Sequence, residues 1–221
     1  MIAVRRSVME ETASREGQGG HIAFTPSVKA IQSARGSRET YARMEARGMS
    51  ATLVDAALME FLAEIDTAYL VTASADGRPY GQHRGGPKGF IKALDAHRLA
   101  FVNYRGNRQY ITAGNLAEND RAFLFLMDYQ HARRIKIWGR ARLSNDEALI
   151  ARLMPKDYAA HAEQALLFTV EAWDSNCSQH IPRKFDGVDV VRVVEQFETR
   201  LATLEAENAA LRAELKTKTG A

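Results

Sequence analysis

Leu99-Ala-Phe-Val-Asn-Tyr-Arg-Gly-Asn-Arg-Gln-Tyr-Ile-Thr-Ala-Gly-Asn115 is the stretch on which the reading of this chain turns. Its first four residues, Leu99 to Val102, are apolar in the manner of a buried strand. The chain then turns at Gly106. Asn107 is a natural N-cap, which predicts a helix with Arg108 and Gln109 in its first turn. A strand, a glycine turn and a helix start leave free backbone N–H groups and the positive end of the helix dipole pointing one way. With an arginine added, the result is an anion site suited to a phosphate. The same residues also read as an ordinary strand-to-helix connection with a solvated arginine. Neither G-x-x-x-x-G-K-[ST] nor G-x-G-x-x-G occurs, so nothing points to a nucleotide triphosphate loop or a Rossmann turn.

The 221 residues suit one domain with appendages, and 46% hydrophobic with 26% charged residues is a globular composition able to bury a core. No apolar run approaches the ~20 residues of a membrane span. Arg5, Arg6, Glu10 and Glu11 interrupt any signal-peptide core at the N-terminus. The single Cys177 excludes an internal disulfide and fits a reducing cytoplasm. A formal net charge of +3 is small for a nucleic-acid binder, which carries a clustered basic patch. The expectation is a cytoplasmic protein with neither nucleic acid nor membrane as partner.

Residues 1–20 mix charge with Gly17, Gly19 and Gly20 and read as a mobile tail. Ile22 to Gly48 carries two short helical patterns, broken by Pro26, Gly36 and Gly48. Ser50 to Glu64 reads as a helix, with Leu53, Ala57, Leu58, Phe61, Leu62 and Ile65 as its packing stripe. Ala68 to Ala73 is a strand, Asp76-Gly77 a hairpin turn, and Pro79 to Arg84 the return strand. Gly77, Gly81, Gly85, Gly86 and Gly89 crowd this region, as turns, bulges or closely approached backbone do, or a flexible surface loop. Asn119-Asp120 turns the chain into a buried strand, Arg121 to Met127. Arg133 to Leu143 alternates most clearly. Ile135, Ile137, Gly139, Ala141 and Leu143 take one face, and Arg134, Lys136, Trp138, Arg140 and Arg142 the other. That row of cations suits solvent, an anionic ligand or a partner subunit. Asn145 to Ala162 reads as one or two helices around Pro155, and Leu166 to Trp173 as a last strand. Several strands at short spacing with few crossover helices argue for a small antiparallel barrel.

The C-terminal segment is separable. From Val194, heptad positions a and d hold Val194, Phe197, Leu201, Leu204, Asn208, Leu211 and Leu215. In a parallel two-stranded coil, position g of one helix meets the following e of the other, which pairs Arg200 with Glu205 and Glu207 with Arg212. Both pairs are opposite in sign, and Asn208 at an a position specifies such a register. The other reading is a helix packed on its own domain.

Three motifs in order resemble a family. Phe101-Val-Asn-Tyr-Arg-Gly-Asn-Arg-Gln109 is similar to the strand and Ser-Arg-Lys turn that hold the FMN phosphate in pyridoxamine 5′-phosphate oxidase-like, FMN-binding split-barrel proteins. Arg133-Arg-Ile-Lys-Ile-Trp-Gly-Arg-Ala141 resembles that family's Arg-Gln-Val-Arg-Ile-Glu-Gly strand. Trp173 precedes Arg183 by ten residues, the family's spacing for its C-terminal FMN contacts. The resemblance runs from Ala68 to Arg183 and is nearest to the predicted flavin-nucleotide-binding branch. It implies a mainly β fold with flanking helices, a split antiparallel β-barrel, and a homodimer with FMN at the subunit interface. It places Val102 and Asn103 along the flavin or ribityl chain, and Asn107, Arg108 and Gln109 at the phosphate. Arg134 falls near the isoalloxazine ring, Trp173 and Arg183 close the site, and Arg84 matches the arginine that opens the family's second strand motif. Gln109 stands where the family has a lysine, and Arg134 where it has glutamine. Gln179-His-Ile181 replaces the oxidase's Arg-Leu-His substrate segment, which argues against pyridoxamine phosphate as the substrate.

Cys177 and His180 lie close in sequence, but a nucleophilic Cys–His pair needs an orienting third group. His180 reads better as a catalytic hydrogen-bonding or proton-transfer residue beside the flavin. The histidines show no metal-ligand spacing, so no metal is expected. The expected layout is a tail (1–20), an N-terminal helical segment (21–66), the FMN-binding split barrel (67–188), a C-terminal dimerisation helix (189–216) and a short tail (217–221). The expected function is an FMN-dependent oxidoreductase acting on a small molecule. The alternatives are a non-catalytic FMN-binding or redox-sensing module whose coiled coil takes a partner, and a haem- or deazaflavin-binding split barrel.

Overall fold

The computed structural model describes residues 22–48, 51–175 and 179–220. The tail expected over residues 1–20 and Cys177 lie outside them. The chain divides into two compact units, one running to Asp128 and resuming over Arg133–Gln179, the other made of Tyr129–Ala132 and His180–Ala221.

In the first unit, α1 (Pro26–Ala34) and α2 (Arg38–Ala46) match the two short helical patterns. Pro26 opens α1 rather than breaking it, because a first-turn N–H has no partner to lose, and Thr25 caps the helix through Val28 N–H. The next helix, α3, is shorter than expected, Ala56–Glu64. Asp55 accepts from Leu58 N–H at 2.9 Å and so starts it late. Ahead of it, Ala51 pairs with Trp173 in an antiparallel bridge, which leaves Leu53 exposed. The working stripe is therefore Leu58, Phe61, Leu62 and Ile65, all buried.

Seven strands follow in one antiparallel sheet of order β2-β1-β5-β6-β7-β4-β3. They are β1 (Thr67–Ala73), β2 (Pro79–Gly85), β3 (Lys92–Ala93), β4 (Arg98–Tyr104), β5 (Arg121–Asp128), β6 (Arg133–Ser144) and β7 (Ala162–Ser175). This is the mainly β antiparallel class read from the sequence. The last strand runs 14 residues, well beyond Leu166–Trp173, and β3 carries no alternation long enough to have been read. Between β4 and β5 lies α4 (Ile111–Glu118), and between β6 and β7 lies α5 (Glu147–Leu153). Pro155 ends the helical region rather than joining two helices, since residues 154–161 hold no helix.

The sheet has two differently covered faces. Leu70, Leu99, Phe101, Leu124, Leu126, Ile137, Leu166 and Phe168 turn inward and form the main core with the α3 stripe. On the other face, Ala100, Val102, Ala165 and Leu167 form a smaller cluster with Leu153 of α5. The β6 alternation places its residues as read. Of the expected row of cations, Lys136 is 3.4 Å from Asp174, and Arg140 donates to Glu171 at 2.8 Å and Asp120 at 2.7 Å. The Glu171 hydrogen bond, with the Asp120 charge added, holds the Arg140 guanidinium above its ordinary range. Glu171 is the residue left over where the β6–β7 register shifts beside Gly139. A Cβ on Gly139 would run into the Thr169 carbonyl oxygen and come within 2.6 Å of the Phe168 ring, so this bulge requires glycine.

The second unit carries α6 (Gly187–Thr219), a 33-residue helix longer at both ends than residues 189–216 and absorbing most of the tail expected over 217–221. Asp186 caps it through Val188 N–H at 3.0 Å, while Lys216 and Lys218 suit the negative end of its dipole. No described residue of α6 is buried. In the same unit Lys184 sits over the Tyr129 ring, 4.3 Å from its centroid. Among the described residues no helix is long and apolar enough to cross a membrane.

Candidate anion-binding site

The turn between β4 and α4 departs from the expected geometry. Asn107 is not the N-cap, and Arg108 and Gln109 are not in the first helical turn. The Asn107 side chain accepts from Gln109 N–H at 3.3 Å, a local turn that uses up its capping oxygen. Arg108 and Tyr110 then adopt left-handed backbone, φ 60° and 53°, which no right-handed helix can contain. The cap position falls on Tyr110, whose side chain makes no capping hydrogen bond. The first N–H groups of α4 are therefore left without a side-chain acceptor, and Ile111, Thr112 and Ala113 border a cleft. The loop is held in part by Arg105, whose N–H donates to the His161 carbonyl at 2.8 Å.

Opposite the loop stands β2. Its pairing with β1 sets Tyr80, Gln82 and Arg84 opposite Thr72, Leu70 and Ala68, on the inner face of the sheet. All three line the cleft, together with Asn103, Asn107, Arg108, Gln109 and Glu163. Thr112 links the two walls: its hydroxyl donates to Gln82 Oε1 at 2.8 Å and accepts from Arg84 Nη2 at 3.2 Å. Asn115 of α4 donates to the Thr72 hydroxyl at 3.0 Å, which fixes the helix against β1.

Arg84 is the most unusual group here. It is half-buried, and its Nε is buried with no hydrogen-bond partner. Burial pushes its guanidinium below its ordinary value, and the group stays protonated at neutral pH. A buried donor without an acceptor costs about 1–3 kcal/mol. Arg108 adds a second cation with no ion-pair partner among the described residues, and the uncapped helix start adds partial positive charge. The acid in the cleft, Glu163, has Arg105 at 3.8 Å. Burial and the neighbouring Tyr158 raise the Tyr104 phenol, so it remains a neutral donor. The arrangement is cationic, donor-rich and one acceptor short, as suits an anion with several oxygens.

The other expected site residues are placed as follows. Val102 turns its side chain into the small cluster under α5 and is not among the lining residues. Arg134 is half-buried on the outer face of β6 and makes no ion pair among the described residues. Trp173 donates its indole N–H to the Leu53 carbonyl at 2.7 Å. His180 and Arg183 belong to the second unit; both are exposed, and His180 has a left-handed backbone, φ 62°. Sequence reasoning missed Tyr80, Gln82 and Thr112. The first two were available from Arg84 by counting back in steps of two along an edge strand.

The sequence model of the pyridoxamine 5′-phosphate oxidase family matches residues 54–177. No curated protein matches the chain. HupZ of Group A Streptococcus is similar in structure at 12% identity, with 59% of this chain and 98% of that one covered and a TM-score of 0.46. A protein from Clostridium acetobutylicum related to general stress protein 26, of the pyridoxinephosphate oxidase family, matches at 15% identity, coverage 59% and 92%, TM-score 0.41. An FAD-binding protein from Mycobacterium smegmatis matches at 13% identity, coverage 57% and 97%, TM-score 0.39. With more than half of its length matched by the family's sequence model and an antiparallel sheet of the expected class, the chain belongs to the pyridoxamine 5′-phosphate oxidase family.

Proposed function

We propose that this protein is a flavoprotein that binds FMN by its phosphate in the cleft between β2 and α4 and acts as an oxidoreductase on a small molecule. The carrying observation is the buried Arg84 Nε without an acceptor, beside the uncapped start of α4 and Arg108. A phosphate oxygen supplies the missing acceptor, and its charge suits two guanidinium groups and a helix N-terminus. Thr112 orients Arg84 toward it. Gln109 contributes an amide where the family's turn carries a lysine, so this site has one cation fewer. Asn103 lines the cleft on the ribityl side of this assignment.

When bound, FMN supplies hydride transfer at N5, and the protein supplies binding, orientation and electrostatics. Arg84 and Arg108 neutralise the phosphate and fix the cofactor's register. The resemblance also assigns Arg134, Trp173 and Arg183 to the cofactor and His180 to the substrate, whereas the Val102 side chain that it assigns to the flavin packs under α5 and does not line the cleft. The same resemblance gives a cytoplasmic homodimer with the cofactor at the subunit interface. A non-catalytic FMN-binding or redox-sensing module is the second reading, favoured by the apolar stripe that α6 leaves exposed for a partner.

The absorption spectrum of the protein as purified, followed by FMN titration of the stripped protein, tests the proposal. A flavin spectrum and saturable FMN binding are expected. A haem or deazaflavin spectrum, or no FMN binding, overturns it. Bleaching of the flavin by a substrate under anaerobic conditions separates the enzyme from the module.

A further inference from the structure

We propose that α6 pairs with α6 of a second copy of this chain as a parallel two-stranded coiled coil, independently of whether FMN binds. Val190, Val194, Phe197, Leu201, Leu204, Leu211 and Leu215 fall on a and d positions, broken only by Asn208 at the a position between Leu204 and Leu211, and all seven are exposed, from 42% at Leu204 to 70% at Phe197. A 33-residue helix is roughly 50 Å long, and a helix with no buried residue needs a partner to hold its apolar side out of water.

The charges identify that partner as a second copy and fix its direction. Arg200 and Glu207 occupy successive g positions, and Glu205 and Arg212 the e positions that follow them. A parallel copy in register meets Arg200 with Glu205 and Glu207 with Arg212, twice each by symmetry. Reversing one helix brings g positions against g and loses this matching. Asn208 makes the same choice. In the parallel register it faces its own copy across the axis and the two amides bond each other, whereas the reversed pairing sets it against Leu204. Outside the a and d positions the C-terminal half of the helix carries Ala202, Ala206, Ala209, Ala210 and Ala213, small helix formers that ask for no second partner, while exposed Val188, Val191 and Val193 widen the apolar side at its start.

Disulfide capture in the intact chain tests this, in a Cys177→Ser background. Leu211→Cys at a d position is expected to form an intersubunit disulfide between identical positions under mild oxidation, while Ala213→Cys on the outer side stays uncrosslinked. Glu205→Arg is expected to slow that crosslink on the order of 3–10-fold, and Arg200→Glu in the same chain to restore it. Efficient crosslinking of a Leu201→Cys chain to a Leu211→Cys chain, with none between two Leu211→Cys chains, makes the helices antiparallel and overturns the proposal. Failure of both pairs overturns pairing with a second copy altogether. Equal crosslinking at Ala213→Cys overturns the assigned seam.

Discussion

At the scale of single residues, the site turns on two arginines that do different work. Arg108 is exposed on a loop, and on the proposed reading its contribution is a charge-assisted hydrogen bond to the phosphate. Arg108→Ala is therefore expected to weaken FMN by roughly 10–100-fold, from a loss of about 1.5–3 kcal/mol, with the fold unchanged. Titration of the stripped variant checks it, and unchanged affinity rejects the assignment. Arg84 is half-buried and lacks an acceptor at Nε, so without ligand it is a burden on the fold. Arg84→Met is expected to lose FMN binding to a similar degree while the apo-protein melts at the same temperature or higher. A melting point several degrees lower makes Arg84 a structural residue instead. The place of Arg108 at an anion site is legible in the sequence, whereas the buried Nε of Arg84 without an acceptor is not. Arg84 was noticed only through the resemblance, because solvent exposure is set by residues far away along the chain. Thr112, which joins the two walls of the cleft, follows two residues after a position that is left-handed only in the folded loop.

At the scale of elements, alternation in β1, β5 and β6 carried the reading, because each strand has one buried face that fixes its register. The helical stripe of α3 was legible for the same reason, although its start was not. Asp55 caps the helix, and the bridge from Ala51 to Trp173 keeps the residues ahead of it extended. Two core predictions belong here. Leu58→Ala removes a fully buried side chain and is expected to cost about 2–5 kcal/mol by denaturant unfolding. Gly139→Ala pushes a methyl group into the Thr169 carbonyl at the β6–β7 bulge and is expected to cost about 1–3 kcal/mol or more. A variant at either position as stable as the parent contradicts the packing described. The loop before α4 departs from the helix start that Asn107 predicts, because a residue able to cap need not do so. Asn serves a turn equally well, and the left-handed residues at 108 and 110 choose the turn.

At the scale of the whole molecule, the two proposals give the two units different kinds of association. On the proposed reading the family's interface lies at the flavin, so the barrel keeps a dimerising surface without α6. Deleting the residues after Gln196 is expected to weaken the dimer without abolishing it, as sedimentation over a concentration series reports. A truncated chain that is monomeric at every concentration assigns all dimerisation to α6. One as tight as the parent leaves α6 no share in it.

The sequence by itself determined the strand faces, the antiparallel class, the family and the heptad. The strand faces, the antiparallel class and the heptad each rest on a periodicity or a short spacing, which neighbouring residues set by backbone geometry, while the family rests on the resemblance of three motifs in order. Tertiary structure decided where α3 and α4 begin, the bulge at Glu171, and the burial of Arg84 beside an uncapped helix start. The helix starts depend on which local cap or turn forms, and the bulge and the enclosure of Arg84 on partners distant in sequence. Asn107 can cap or turn, and Arg84 can be solvated or enclosed, and the neighbouring residues do not choose between them. Packing of β2 against α4 tips the balance.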